Sequence, residues 1–406
     1  MQKCDVKNQK RAVLRRILKT SRLVAAMGLL VFGMQTTITP AQAATRYESG
    51  IATSATLLRM NDKALNSRLD DIHNLGATWI RVDFSWPVIQ PENNNVYHWS
   101  MYDRVVKAAG AHQLKVLAVL DYTPHWAVEP VCAKLVITTA AATKCEPRDV
   151  NTYARFARAA AIHYRHLPVR AWELWNEPNL SSYWKVAQAN KSVLSSPLSY
   201  ARLANAAALQ IRQNDPDSLI ITGGLAPLFE AVYPKGYQQG DFLARILPHL
   251  NARLFDGVGI HPYSWPALPS KAEIYNAFYT IDHGSPQYNL QTIMTKAGWG
   301  KKQIWATEFG APTIGTSQVV KPTATARPDH VTESVQSQII AQGVVQWYAQ
   351  ANAGPMFIQS DSDQWLPDVK NEDGFGLRRE NGSPKPAYTA LKKAEKQINP
   401  QMPPSR

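Results

Sequence analysis

Two glutamates, each at the end of a short apolar run, are the residues of this chain best suited to chemistry. The first lies in Arg170-Ala171-Trp172-Glu173-Leu174-Trp175-Asn176-Glu177-Pro178-Asn179, where a run containing two tryptophans gives way to Asn-Glu-Pro-Asn. A buried strand that stops at such a turn signal delivers Glu177 to an exposed position. Far along the chain, Gln303-Ile304-Trp305-Ala306-Thr307-Glu308-Phe309-Gly310 repeats the arrangement and presents Glu308. A lone Asn-Glu-Pro is turn punctuation. Two carboxylates on the ends of two strands are what cleavage of a glycosidic bond needs: an acid to protonate the leaving oxygen, and a second carboxylate for the anomeric carbon.

The two stretches resemble the acid/base and nucleophile signatures of glycoside hydrolase clan A, and Trp172 to Asn179 is the most specific part of the likeness. Clan members are (β/α)8 barrels with the acid/base Glu after strand 4 and the nucleophile Glu after strand 7. The resemblance therefore implies that Glu177 is the acid/base and Glu308 the nucleophile. Within the clan the chain is similar to both family 39 and family 5 enzymes, and its letters do not separate the two.

Further site residues follow from the same likeness. Arg81, in Trp79-Ile80-Arg81-Val82-Asp83, matches an Arg that hydrogen-bonds the nucleophile; by residue type alone it would pair with Asp83. Asn176 matches a donor to the sugar 2-hydroxyl, and otherwise reads as a turn initiator. His261 and Tyr263, in Gly257 to Trp265, match residues on the nucleophile side, the Tyr donating to it. Glu173 reads as a buried support one barrel layer below Glu177, on the same side by the strand period of two.

Aromatic faces cover the apolar side of a sugar ring, which makes Tyr122, Trp126, Trp265 and Trp365 stacking candidates, although any single Trp is more often core. Trp365 would be the clan's Trp under the reactive sugar, but it lies farther past its strand than the clan pattern. Asp361 and Asp363 are rival carboxylates to Glu308.

The elements that must position these residues alternate along the chain. Apolar runs at 50–53, 79–83, 115–121, 169–176, 219–223, 257–261, 303–308 and 356–360 read as strands. Amphipathic segments near 62–74, 100–112, 150–165, 198–213, 239–250, 287–297, 330–350 and 385–396 read as helices. Eight such units without a Gly-rich phosphate loop predict a single closed (β/α)8 TIM barrel, with the site at the strand C-termini and long loops around it.

Residues 1–43 read as a signal peptide: eight Lys or Arg, an apolar run from Leu23 to Met34 too short to span a bilayer, and Ala41-Gln42-Ala43 as a cleavage site. Arg15-Arg16 leaves twin-arginine export open beside ordinary secretion. With eight bases and one acid, Asp5, the segment carries +7 of the formal +13, leaving +6 on the mature chain. No basic run remains, so nucleic acid or an anionic surface is not called for, while an acidic polysaccharide stays open; after signal cleavage no stable membrane insertion is expected. Cys132 and Cys145, the two cysteines after the signal, share one irregular stretch, and in an oxidising compartment a disulfide is the preferred reading. Residues 44–398 form the expected catalytic domain and 399–406 a disordered tail.

The expectation is a secreted or periplasmic, monomeric, retaining glycoside hydrolase for β-linked saccharides, needing no metal or organic cofactor. A barrel that binds glycan without cleaving it, and a transglycosylase using the same two Glu, are the alternatives.

Overall fold

The eight apolar runs become eight parallel strands that close on themselves. The computed structural model describes residues 47–136, 138–189, 192–228, 236–273, 276–314, 328–363 and 374–400. Its strands are β1 (Ser49–Ser54), β2 (Trp79–Ser85), β3 (Lys115–Asp121), β4 (Val169–Asn176), β5 (Leu219–Gly224), β6 (Gly257–Ile260), β7 (Gln303–Phe309) and β8 (Ala353–Gln359). Each is followed by a helix: α1 (Asp62–Asn74), α2 (Ser100–Ala111), α3 (Val150–Tyr164), α4 (Pro197–Asn214), α5 (Gln239–Ile246), α6 (Leu290–Lys296), α7 (Glu333–Trp347) and α8 (Pro386–Ile398). Every strand pairs with its chain neighbours, and β8 returns to β1 through Ser49↔Met356 to Ala52↔Gln359. This is the (β/α)8 barrel that the alternation predicts.

The period of two sorts each strand into an outer and an inner face. On β3, Val116, Ala118 and Leu120 join the apolar layer beneath the helices, while Leu117 joins a separate cluster with Ala52, Trp79, Ala171, Ile221, Trp305 and Phe357. That inner cluster plugs the barrel with aromatic edges: Trp79 meets Trp305 at 5.6 Å and Phe357 at 6.3 Å between ring centroids. Burying one side chain of the size of Ile221 or Phe357 contributes about 1.5–3 kcal/mol. Two residues further along three of these strands the interior turns polar, with Arg81, Glu173 and Thr307 all buried. The floor is apolar, and the layer above it is built for charge.

Helix starts follow from side chains that satisfy orphan amides. Asn61 accepts from the Ala64 amide at 2.9 Å, and Asn289 from the Thr292 amide at 2.7 Å. On the core side α1 buries Leu65, Leu69 and Ile72, a spacing of three to four.

Two boundaries differ from expectation. The stretch between β3 and α3 is not wholly irregular: Pro130–Leu135 and Thr139–Ala142 are short helices, the first started by Pro130 and by Glu129, whose carboxylate accepts from the Cys132 amide at 2.7 Å, the second by Thr138, whose hydroxyl accepts from the Ala141 amide at 3.0 Å. The disulfide between Cys132 and Cys145 forms here, both cysteines fully buried. Asn399, placed in the tail, is instead tied to the start of the barrel. Its side chain accepts from the Tyr47 amide at 3.0 Å and donates to the Tyr47 carbonyl at 3.1 Å. The signal segment 1–43 and residues 401–406 lie outside the described residues. No helix of the described residues is long and apolar enough to cross a membrane.

Candidate active site

Backbone strain at two strand ends delivers the acidic residue. Tyr122 after β3, Trp175 near the end of β4 and Glu177 after it adopt φ of +67°, +77° and +48°. For bulky non-glycine residues such left-handed geometry costs on the order of 1–3 kcal/mol each and persists only where packing dictates it. Packing does so here: Trp175 Nε1 donates to the Tyr183 carbonyl at 2.9 Å, and its ring meets Trp184 edge-on at 4.8 Å. The Glu177 amide then donates to the Gly224 carbonyl of β5 at 3.0 Å, which sets the turn against the neighbouring strand end.

The two glutamates face one another. His261, just past β6, puts Nδ1 3.0 Å from Glu177 Oε1 and 3.6 Å from Glu308 Oε2. A carboxylate oxygen from each Glu and a nitrogen of His261 all lie within 4.8 Å of one another. Glu308 Oε2 accepts from Tyr263 Oη at 2.8 Å, and Glu308 Oε1 from Arg81 Nη1 at 2.7 Å. Arg81 does not take Asp83 as its ion-pair partner; it gives Nε to Glu173 Oε2 at 2.7 Å and Nη2 to Asn176 Oδ1 at 2.8 Å.

Glu173 is the fully buried support. Besides Arg81 it accepts from the Gly224 amide at 2.8 Å and from Thr307 Oγ1 at 3.2 Å. One carboxylate thus ties β2, β4, β5 and β7 together beneath the site.

The charges sort the two acids into different settings. Burial alone would raise the Glu308 pKa, but His261, Arg81 and Tyr263 outweigh it and hold the carboxyl below the usual glutamate range. Burial would lower His261, yet Glu308 and Glu177 prevail and raise its proton affinity. Tyr263 is pushed far up, first by burial and then by Glu308, so it stays a phenol and a donor.

Glu177, His261 and Glu308 are also the one described group with the spacing of metal ligands. The donor set fits a cation poorly, because metal binding needs a neutral imidazole and an uncommitted carboxylate. Here the imidazole favours its proton and both Glu308 oxygens already accept hydrogen bonds.

The remaining candidates divide. Arg81 fixing Asn176 Oδ1 orients that amide so that Nδ2, its donor end, is left for a ligand. One face of Tyr122 is taken: Lys144 Nζ stands 2.8 Å from its ring centroid. Trp126 is half-buried, with Nε1 donating to the Gln90 carbonyl at 3.0 Å and its ring edge-on to Trp86. Trp265 is only 5% exposed and packs near Phe375, so it serves as wall rather than stacking platform. Trp365 lies outside the described residues. The rival carboxylates are structural: Asp361 pairs with Arg68, and Asp363 with Lys385 Nζ at 2.7 Å.

Sequence reasoning missed Gly224, Asp121 and Lys144. At Gly224 a Cβ would run into His261 Nε2 and Thr307 Oγ1, so only glycine leaves room for the His. The Gly223-Gly224 pair at a strand end was the available clue.

A closed ring of eight βα units, with one Glu after β4 and another on β7, defines the class: a barrel of the glycoside hydrolase clan A type. The cellulase family model, glycosyl hydrolase family 5, matches residues 41–352, and the chain belongs to that family. The fold is similar to a family 39 glycoside hydrolase from the gut symbiont Bacteroides cellulosilyticus WH2, at 20% identity and TM-score 0.62 over 86% of this chain and 63% of that one. It is also similar to GH5_18 from Streptomyces cattleya, solved in complex with GlcNAc, at 17% identity and TM-score 0.59 over 89% and 82% of the two chains. Native xylanase 10B from Thermotoga maritima aligns at 16% identity and TM-score 0.57, over 88% of this chain and 97% of its own. The chain spans less than two thirds of the family 39 enzyme's length. No curated protein matches the sequence.

Proposed function

We propose that this protein is a secreted glycoside hydrolase that cleaves β-linked saccharides with retention of configuration, by double displacement. The observation that carries the reading is the approach of Glu177 and Glu308, an oxygen of each within 4.8 Å. Retaining enzymes hold their carboxyl groups about 5–5.5 Å apart and inverting ones about 6.5–9.5 Å, the difference being room for a water. The short separation favours direct attack.

In this mechanism Glu308, kept ionised by Arg81, Tyr263 and His261, attacks the anomeric carbon while Glu177 gives its proton to the departing oxygen. The bond to the leaving group breaks as the Glu308 ester forms. Water then adds at the same carbon, Glu177 takes its proton, and Glu308 leaves as a carboxylate. Asn176 Nδ2 supplies a donor for the 2-hydroxyl, a bond that strengthens as the ring gains positive charge. The basic, apolar and Ala-Gln-Ala order of residues 1–43 supports export.

A panel of aryl β-glycosides and defined oligosaccharides, read with the wild type, Glu177→Ala and Glu308→Gly, tests this. Turnover by the wild type, its loss in both variants, and azide rescue of Glu308→Gly to a glycosyl azide of inverted configuration are expected. Normal turnover in either variant rejects the assignment.

A further inference from the structure

A second polar cluster stands at the mouth of the barrel, and the reaction as written leaves it idle. Asp83 and Asp121 lie toward the C-terminal ends of β2 and β3, strands paired in unbroken register up to Ser85↔Asp121. Asp121 is fully buried, and neither of its carboxylate oxygens has a hydrogen-bond partner among the described residues. A buried acid left without a partner is costly unless the site uses it. Lys144 arrives from the long loop after β3, its Nζ 2.8 Å from the Tyr122 ring centroid and 5.1 Å from that of Tyr183.

The loop is built to hold this lysine still. Its neighbour Cys145 is bonded to Cys132, and the Lys144 carbonyl accepts from the Lys185 amide at 2.8 Å. Thr123, two residues beyond β3, donates Oγ1 to the Cys145 carbonyl at 2.7 Å. Lys144 feels the charges of Asp121, Asp83 and Glu177, and Asp83 feels that of Glu308. Asp83 follows Arg81, the ion-pair partner of Glu308, by two residues on the same face of β2, and Lys144 covers Tyr122 just past β3, so the cluster borders the position of the reacting sugar.

Resting on the retaining-hydrolase reading above, we propose that Asp83 and Lys144, beside Asp121 at the mouth of the barrel, read two adjacent free hydroxyls on the glycone and select a neutral sugar there. A carboxylate only accepts and an ammonium only donates. A vicinal diol matches both: one O–H donates to Asp83, and the neighbouring oxygen accepts from Lys144 Nζ. Asp121 is a positioning residue that acts at a distance, opposing loss of the ammonium's proton, while the loop contacts aim the side chain. Burial lowers the Lys144 pKa to about 8, with Asp121 and Asp83 opposing the fall. Asp83, like Glu177 and Glu308, presents a carboxyl to this side of the sugar, which disfavours a uronate there.

The test uses the full chain and the aryl β-glycoside that it cleaves best, beside the mono-deoxy analogues and the uronide of that glycone. Lys144→Met is expected to lower kcat/KM for the parent about 10- to 100-fold, the size of a lost charged hydrogen bond. The same substitution should leave one deoxy analogue nearly unaffected, and Lys144→Arg should recover part of the loss on the parent. Asp83→Asn should narrow the wild type's preference for the neutral glycone over the uronide. Equal losses on the parent and on every deoxy analogue, in variants with wild-type melting temperatures, overturn the proposal while the hydrolase reading stands. If the wild type cleaves no β-glycoside of the panel, both fall together.

Discussion

His261 Nδ1 stands 3.0 Å from Glu177 Oε1, so the residue proposed to give and take a proton shares a hydrogen-bonding distance with a fully buried imidazole. The same nitrogen is 3.6 Å from Glu308 Oε2, and its charge is one reason that Glu308 holds its proton weakly. Glu308 should therefore stay ionised below the ordinary glutamate pKa of about 4.3. The acid limb of kcat/KM against pH is expected to lie below that value. In His261→Ala or Tyr263→Phe, which remove a proton or a donor from beside Glu308, the limb should move to higher pH. A limb that stays in place, or moves down, contradicts the electrostatics.

The same shifts act on stability, with opposite signs. The depressed Glu308 pKa adds stability that is present above its unfolded value and is lost as pH falls through the folded one. The raised His261 pKa adds stability that is present below about 6.5 and is lost as pH climbs through the folded value. Thermal unfolding across pH should show His261→Ala losing least relative to wild type at alkaline pH.

Glu173 and Arg81 are a buried ion pair whose nitrogen and oxygen approach to 2.7 Å. Glu173→Ala leaves Arg81 with only Glu308 and Asn176 and takes the acceptor from the Gly224 amide and the Thr307 hydroxyl, and breaking a buried pair costs about 3–5 kcal/mol. Urea denaturation should report a loss of that order. A loss under 1 kcal/mol would mean that water reaches Arg81 and that the polar layer is not sealed.

Gly224 is the position where β5 gives way to the site. Gly224→Ala forces His261 or Thr307 to move, and overpacking of this kind costs about 1–3 kcal/mol. The expected outcome is a lower melting temperature together with a larger loss in kcat than in affinity, because His261 orients both acids.

The Cys132–Cys145 bond spans 13 residues of sequence. Closing a loop near this length is worth about 3 kcal/mol in the chain-entropy model. Reduction, or Cys132→Ala with Cys145→Ala, should lower the melting temperature by several degrees and weaken whatever Lys144 holds. An unchanged melting curve would show that the short helices pin the loop without the bond.

Much of this was legible in the letters, and the reason is local. Glu177 and Glu308 stand at sharp changes from apolar run to turn, and eight such runs at barrel spacing leave few other folds. Arg81, His261 and Tyr263 are legible through their match to the clan pattern; His261 and Tyr263 follow the end of β6, while Arg81 lies inside β2. Trp265 could not, since a tryptophan beside a strand end suits the core as well as the cleft, and only its burial distinguishes the two. Lys144 was invisible for a different reason. Its position depends on how a long loop folds back over Tyr122, which no periodicity encodes. The positive φ of Trp175 is likewise a product of its packing against Trp184 and Tyr183.

The central claim is that Glu308 attacks the sugar directly, and the anomeric configuration of the first product tests it most directly. Proton NMR of a β-glycoside digest, recorded before mutarotation, should show the β-anomer appearing first. If the α-anomer forms first, a water stands between Glu308 and the sugar, and the double-displacement account is wrong.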